Sequence, residues 1–156
     1  MNCMNTADAS PETAAPSNDL AAAASEMRIA TFRLARRMRT QRAVDSMSDG
    51  QFAVLAGLSM HGPHTLGELA DRERVSAPSM NRTVNCLQES GYVRRSADET
   101  DGRKVVISLT DDGRAVVDET ARRRDAWVEE ALAALSPVER QTLAEAAEIM
   151  QRMVAR

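Results

Sequence analysis

Thr65 to Thr110 reads TLGELADRERVSAPSMNRTVNCLQESGYVRRSADETDGRKVVISLT, and its signals run helix, turn, helix, hairpin. Thr65-Leu66-Gly67-Glu68 is a capping box: the Thr hydroxyl can accept from the amide three residues on, and Glu68 can reach back. Arg72-Glu73-Arg74-Val75 is a short connection, and Ser76 is a second N-cap, opening a helix that Gly91 ends. Two short helices joined so tightly form a helix-turn-helix, a layout that sets its second helix in the major groove of DNA. Met80, Val84 and Leu87, with Thr83 beside them, make the core-facing stripe of that helix. Pro78, Asn81, Arg82, Asn85 and Glu89 face away. Asn suits adenine and Arg suits guanine in bidentate pairs, so Asn81, Arg82 and Asn85 are candidate reading groups, with Ser79 near phosphate or a base edge. Seen alone, the same face would be a solvated polar surface; the neighbouring pattern favours DNA.

After Gly91, Tyr92-Val93-Arg94-Arg95 is β-competent, Ser96 to Lys104 is a polar turn, and Val105-Val106-Ile107-Ser108-Leu109 is β-branched. The spacing predicts a two-stranded wing with Arg94, Arg95, Arg103 and Lys104 around it. Such a basic tip suits a minor groove. Asp101 and Arg103 are placed to pair, which would orient the guanidinium; as a surface pair it is worth roughly 0–1 kcal/mol, so its value is positional.

Asp101-Gly102-Arg103, five residues, then Leu109-Thr110 resembles the Asp-x-Arg-x5-Leu-Thr wing signature of the MarR (multiple antibiotic resistance regulator) family of winged helix-turn-helix repressors. The resemblance runs from about Ser48 to about Gly113. It includes Gln51-Phe52-x-Val54-Leu55, Leu69-Ala70, Val75-Ser76, Arg82, Leu87 and Gly91-Tyr92-Val93-x-Arg95. It implies an obligate homodimer, with Arg103 as the wing-tip contact, Asp101 as its orienter, and Ser79, Asn81 and Arg82 on the recognition helix. Gly102 departs from the pattern, because many members carry a second basic residue there. The DNA-binding set is then Ser76, Ser79, Asn81, Arg82, Asn85, Arg94, Arg95, Asp101, Arg103 and Lys104. The resemblance further implies small aromatic or anionic effectors, often aromatic acids or other phenolic compounds, bound between the dimer helices and the winged module. Met27, Arg28, Thr31, Phe52 and Trp127 are the candidate lining residues.

Outside the module, residues 1 to about 18 lack periodicity and are expected to form a disordered arm. Residues 19–156 form the MarR-like domain, with the winged module at about 48–110 and dimerisation helices at about 19–42 and 111–156. In the first of these helices Leu20, Ala23, Ala24, Met27, Ala30, Thr31, Leu34 and Met38 make one stripe. Arg28, Arg33, Arg36, Arg37 and Arg39 lie opposite, either as a solvated face or toward DNA or an anionic ligand. Ser48 caps a helix carrying Phe52, Val54, Leu55 and Leu58 that ends near His61-Gly62-Pro63. A long helix from Thr110 ends near Leu135, and Ser136-Pro137-Val138-Glu139 opens the last one. The fold class is therefore mainly α with a small β-wing. The terminal helices carry more apolar surface than a small winged domain covers, which points to a symmetric dimer.

The chain has 156 residues, a net charge of −3 and 3% aromatic residues, so one domain with an aliphatic core is expected. The negative balance does not exclude DNA, because Arg72, Arg74, Arg82, Arg94, Arg95, Arg103 and Lys104 cluster in the module. No apolar run approaches membrane-spanning length and no signal peptide is evident, which argues for the cytoplasm. Cys3 and Cys86 give no disulfide framework; Cys86 is either a small helix residue or a thiol whose oxidation would release DNA. His61 and His64, in a loop without a Cys partner, read as a solvated turn, so no metal or cofactor is expected. No phosphate loop, nucleophile elbow or carboxylate pair suggests an enzyme. Two functions remain: a ligand-responsive, sequence-specific repressor of double-stranded DNA, or a nucleoid-associated or scaffold protein using the same fold.

Overall fold

The computed structural model describes residues 17–97, 101 and 104–155. They form α1 (Ser17–Arg39), α2 (Asp49–His61), β1 (His64–Thr65), α3 (Leu66–Glu73), α4 (Ala77–Glu89), β2 (Val93–Ala97), β3 (Val105–Leu109), α5 (Asp111–Ala133) and α6 (Pro137–Val154). The described residues divide into two units, the first ending at Arg36 and the second beginning at Arg37. Residues 1–16, most of the expected arm, lie outside the described residues, and α1 already includes Ser17 and Asn18.

Local chemistry sets most of these bounds. Ser48, Thr65 and Ser136 each close a capping box with Gln51, Glu68 and Glu139, satisfying amides that the first helical turn leaves orphaned. Helix α1 stops at Arg39, short of the expected residue 42, because its last carbonyls find side-chain partners. Thr40 Oγ1 donates to the Arg37 carbonyl at 2.8 Å, and Arg42 Nε donates to that of Arg39 at 2.8 Å. Helix α3 ends on Arg74 with φ 53, a left-handed cap more often given to glycine. Gly91, at φ 78, turns the chain from α4 into β2.

Three expectations need revision. The β2–β3 hairpin forms as expected, but β1 pairs with the other edge of β3, so the wing is a three-stranded antiparallel sheet ordered β1-β3-β2. His61 ends α2 and His64 opens β1, opposite Ile107, so these histidines do not share the loop expected for them. Strand β2 also runs through Ser96 and Ala97, residues expected in the turn, because Ala97 still pairs with Val105.

The core of the second unit gathers Val54, Leu55 and Leu58 from α2, Leu69 and Ala70 from α3, and Met80, Val84 and Leu87 from α4. Val93, Ile107 and Leu109 close it from the sheet. Each Val, Leu, Ile or Met side chain among them, when fully buried, contributes about 1.5–3 kcal/mol. Thr110 fastens α5 to this core: its hydroxyl donates to the Gly91 carbonyl at 2.6 Å and accepts from Gly113 N, while its amide donates to the Tyr92 carbonyl. The connection between α1 and α2 is tied to α5 as well. The buried Thr120 hydroxyl accepts from Ala43 N, and Arg123 Nη1 donates to the Arg42 carbonyl.

Candidate nucleic-acid interface

Helix α4 is held by its core stripe, Met80, Val84 and Leu87, all nearly inaccessible to solvent. Its other side is therefore fixed in direction. Ser79, Asn81 and Arg82 are exposed there, and Asn85 is half-buried beside them. Ser76 caps the helix, its hydroxyl accepting from Ser79 N, so its oxygen is engaged before any DNA contact. The tight turn of Arg74 and Val75 is closed by Val75 N donating to the Ala70 carbonyl at 3.0 Å, which sets α4 relative to α3.

The two wing arginines diverge. Arg94 is exposed and its Nε donates to Ser108 Oγ at 3.2 Å, across the strand pair that joins them. Arg95, two residues beyond the buried Val93 on the same strand face, turns toward α4 instead. Its Nη1 donates to Gln88 Oε1 at 2.5 Å, and its Nη2 donates to Asn81 Oδ1 at 3.1 Å and Asn85 Oδ1 at 2.8 Å. Lys104 is exposed just before β3, and its amide donates to the Asp101 carbonyl at 2.8 Å. Arg103 and Gly102 lie outside the described residues, so the expected Asp101–Arg103 pairing does too.

A second constellation lies where α2 and α5 pack. The Arg124 guanidinium sits 4.5 Å from the Phe52 ring centroid, a cation–π distance. Its Nε is buried with no hydrogen-bond partner among the described residues. Burial lowers the Arg124 pKa; nearby Arg42 and Arg39 lower it too, while Asp49 opposes them. Arg39, Asp49, Gly50, Phe52, Ala53 and Arg124 line a cavity of about 410 Å³ here. Asp49 already pairs with Arg42, so the cavity wall carries excess positive charge. Of the expected lining residues, Phe52 is in this wall. Trp127 is half-buried on α5 and is not among these lining residues, while Met27, Arg28 and Thr31 are exposed on α1.

Comparison with known proteins fits this geometry to a family. A family model described as "MarR family" matches residues 47–105. An HTH-type transcriptional regulator of Mycobacterium tuberculosis is 37% identical over 131 residues, covering 84% of this chain and 92% of that protein. The chain belongs to the MarR family. The HTH-type transcriptional repressor NicR of Pseudomonas putida is 35% identical over 68 residues, 44% of this chain and 43% of NicR. Among solved structures, a MarR family protein from Bacillus stearothermophilus superposes with a TM-score of 0.76 at 21% identity, covering 92% of this chain and 100% of that one. This MarR-family chain is thus a DNA-binding transcriptional regulator with a winged helix-turn-helix fold. Among its described residues no helix is long and apolar enough to cross a membrane.

Sequence reasoning missed Gln88 and Arg124. Gln88 had a readable signal, since Asn81, Asn85 and Gln88 recur at i, i+4 and i+7 and so share one helix face. Arg124 had none: an arginine among several on α5 is set apart only by the tertiary approach of Phe52.

Proposed function

We propose that this regulator is a cytoplasmic homodimer that represses transcription from a palindromic operator and leaves it when a small anionic effector binds. The dimer reading is supported by α6, which buries none of its residues in the single chain, and by the exposed Leu20, Phe32 and Leu34 of α1. Apolar surface of that extent on terminal helices is suited to a second copy, which also supplies the second recognition helix that two half-sites require. Repression agrees with the name of NicR, although that likeness covers under half of either chain.

The observation that carries ligand control is Arg124. A buried donor without a partner costs free energy, and the residue that carries it, Arg124, lines a cavity together with Phe52 and Arg39. A carboxylate on an aromatic ring would answer the charge and the apolar floor together. Residues Ser76, Ser79, Asn81, Arg82, Asn85, Arg94 and Lys104, with Arg103 and Asp101 at the wing tip, form the proposed DNA-contacting set. Arg95 belongs with them through α4.

Footprinting of the region upstream of its own gene tests this function. An inverted repeat should be protected, and protection should be lost on adding aromatic carboxylates, with benzoate as the first probe. Arg124→Met should keep the footprint and lose the response. Broad protection without a preferred site, unchanged by any carboxylate in the series, would instead leave an architectural DNA-binding protein.

A further inference from the structure

Asn81, Asn85 and Gln88 occupy the helix face one position round from the core stripe of Met80, Val84 and Leu87. All three direct their carboxamide oxygens to the one guanidinium of Arg95. The polarity of these contacts is dictated by chemistry: a guanidinium has donors and no acceptor, so each amide must present oxygen to it. Each amide –NH2 then points to the other end. Charge-assisted bonds of this kind are roughly twice as strong as neutral ones, so one half-buried residue fixes the direction of three side chains. It does so by committing three of its own five N–H donors.

A free Asn offers adenine an acceptor and a donor at once, the bidentate pair that reads N6 and N7. When its oxygen is held by a guanidinium, the group it turns outward is a donor. Donors match the acceptor edges of the major groove, guanine N7 and O6 and thymine O4. We propose that Arg95 is a positioning residue that sets the base preference of α4, turning its carboxamides into a row of donors that favours guanine-rich edges over adenine pairing. This rests on α4 being the helix that meets DNA.

The test selects bound sequences from a pool of random duplexes with full-length wild type, Asn81→Ala, Asn85→Ala, Arg95→Lys and Arg95→Ala. Lysine keeps the charge and can reach phosphate, but it lacks the planar fork that holds several oxygens. Both Arg95 variants should keep wild-type helicity and the wild-type dependence of affinity on salt. They should lose about tenfold on the wild-type consensus, as one weakened base contact would. Guanine preference should relax at the base pairs that Asn81→Ala and Asn85→Ala also relax. The proposal is overturned if Arg95→Lys keeps the wild-type preference while Arg95→Ala weakens all sequences equally and lowers the salt slope by about one; Arg95 would then be a phosphate contact. If the two Asn variants also select the wild-type consensus, α4 is not the reading helix and both readings fall.

Discussion

Gly113 stands where the first turn of α5 crosses the Tyr92 carbonyl. A Cβ at that position would lie inside the van der Waals envelope of that oxygen, and close to Leu109 Cδ2 as well. Backbone cannot retreat as a flexible side chain can, so Gly113→Ala should destabilise the second unit by about 1–3 kcal/mol. Urea unfolding followed by circular dichroism checks this; an unchanged midpoint would mean that α5 is free to shift. On the exposed face of α4, proposed to read DNA, Asn81→Ala and Arg82→Ala should each cost about 1–3 kcal/mol at one base pair of the preferred site, and less on random DNA. Equal losses on both DNAs would move these side chains to phosphate. At this scale the sequence showed which side chains leave the core, since Met80, Val84 and Leu87 define the buried stripe by spacing alone. It did not show where Arg95 points. An arginine at a strand position can serve wing or helix equally, and only the packing of β2 on α4 chooses between them.

Helices in this chain were legible because their ends are local events. Ser48, Thr65, Ser76 and Ser136 act as N-caps as read, and Thr110, read only as the start of its helix, caps α5; each lies within three residues of the amide it serves. Strand β1 was not legible: two residues after a proline carry no pattern, and their extended form comes from pairing with Val106 and Ile107 far along the chain. The same caps have a pH consequence. Hydrogen bonds from Thr65 hold the Glu68 carboxyl below its ordinary range, and those from Ser136 do so for Glu139. Arg122 and then Arg123 bring Glu119 down to about 2. A carboxyl depressed on folding stabilises the fold above its unfolded pKa, and that contribution is lost as pH falls through the folded value. Stability should therefore hold at neutral pH and decline from the ordinary carboxylate range down toward pH 2. Glu119→Gln should flatten part of that decline at low salt. The effect should be small and shrink with added salt, since the group is solvent-screened. Parallel acid titrations of wild type and variant provide the check, and coincident curves would show that the arginine pairs contribute nothing.

At the scale of the whole molecule, the negative net charge means that affinity for DNA depends on where the arginines are aimed. It also depends on how many recognition helices one particle carries. The sequence showed surplus apolar surface on its terminal helices by count. The structure adds that this surface is not confined to one stripe, since Ile29 and Phe32 are exposed on α1 alongside Leu20 and Leu34. Removing the residues after Ser136 deletes α6 and should abolish both self-association and operator affinity. The most direct measurement is sedimentation equilibrium of the full-length chain at micromolar concentration, alone and with the duplex it selects. The expected result is a dimer in both cases, with two chains on one duplex. A stable monomer that binds DNA as one chain per duplex would contradict the dimer, and with it the reading of two half-sites by a symmetric pair of α4 helices.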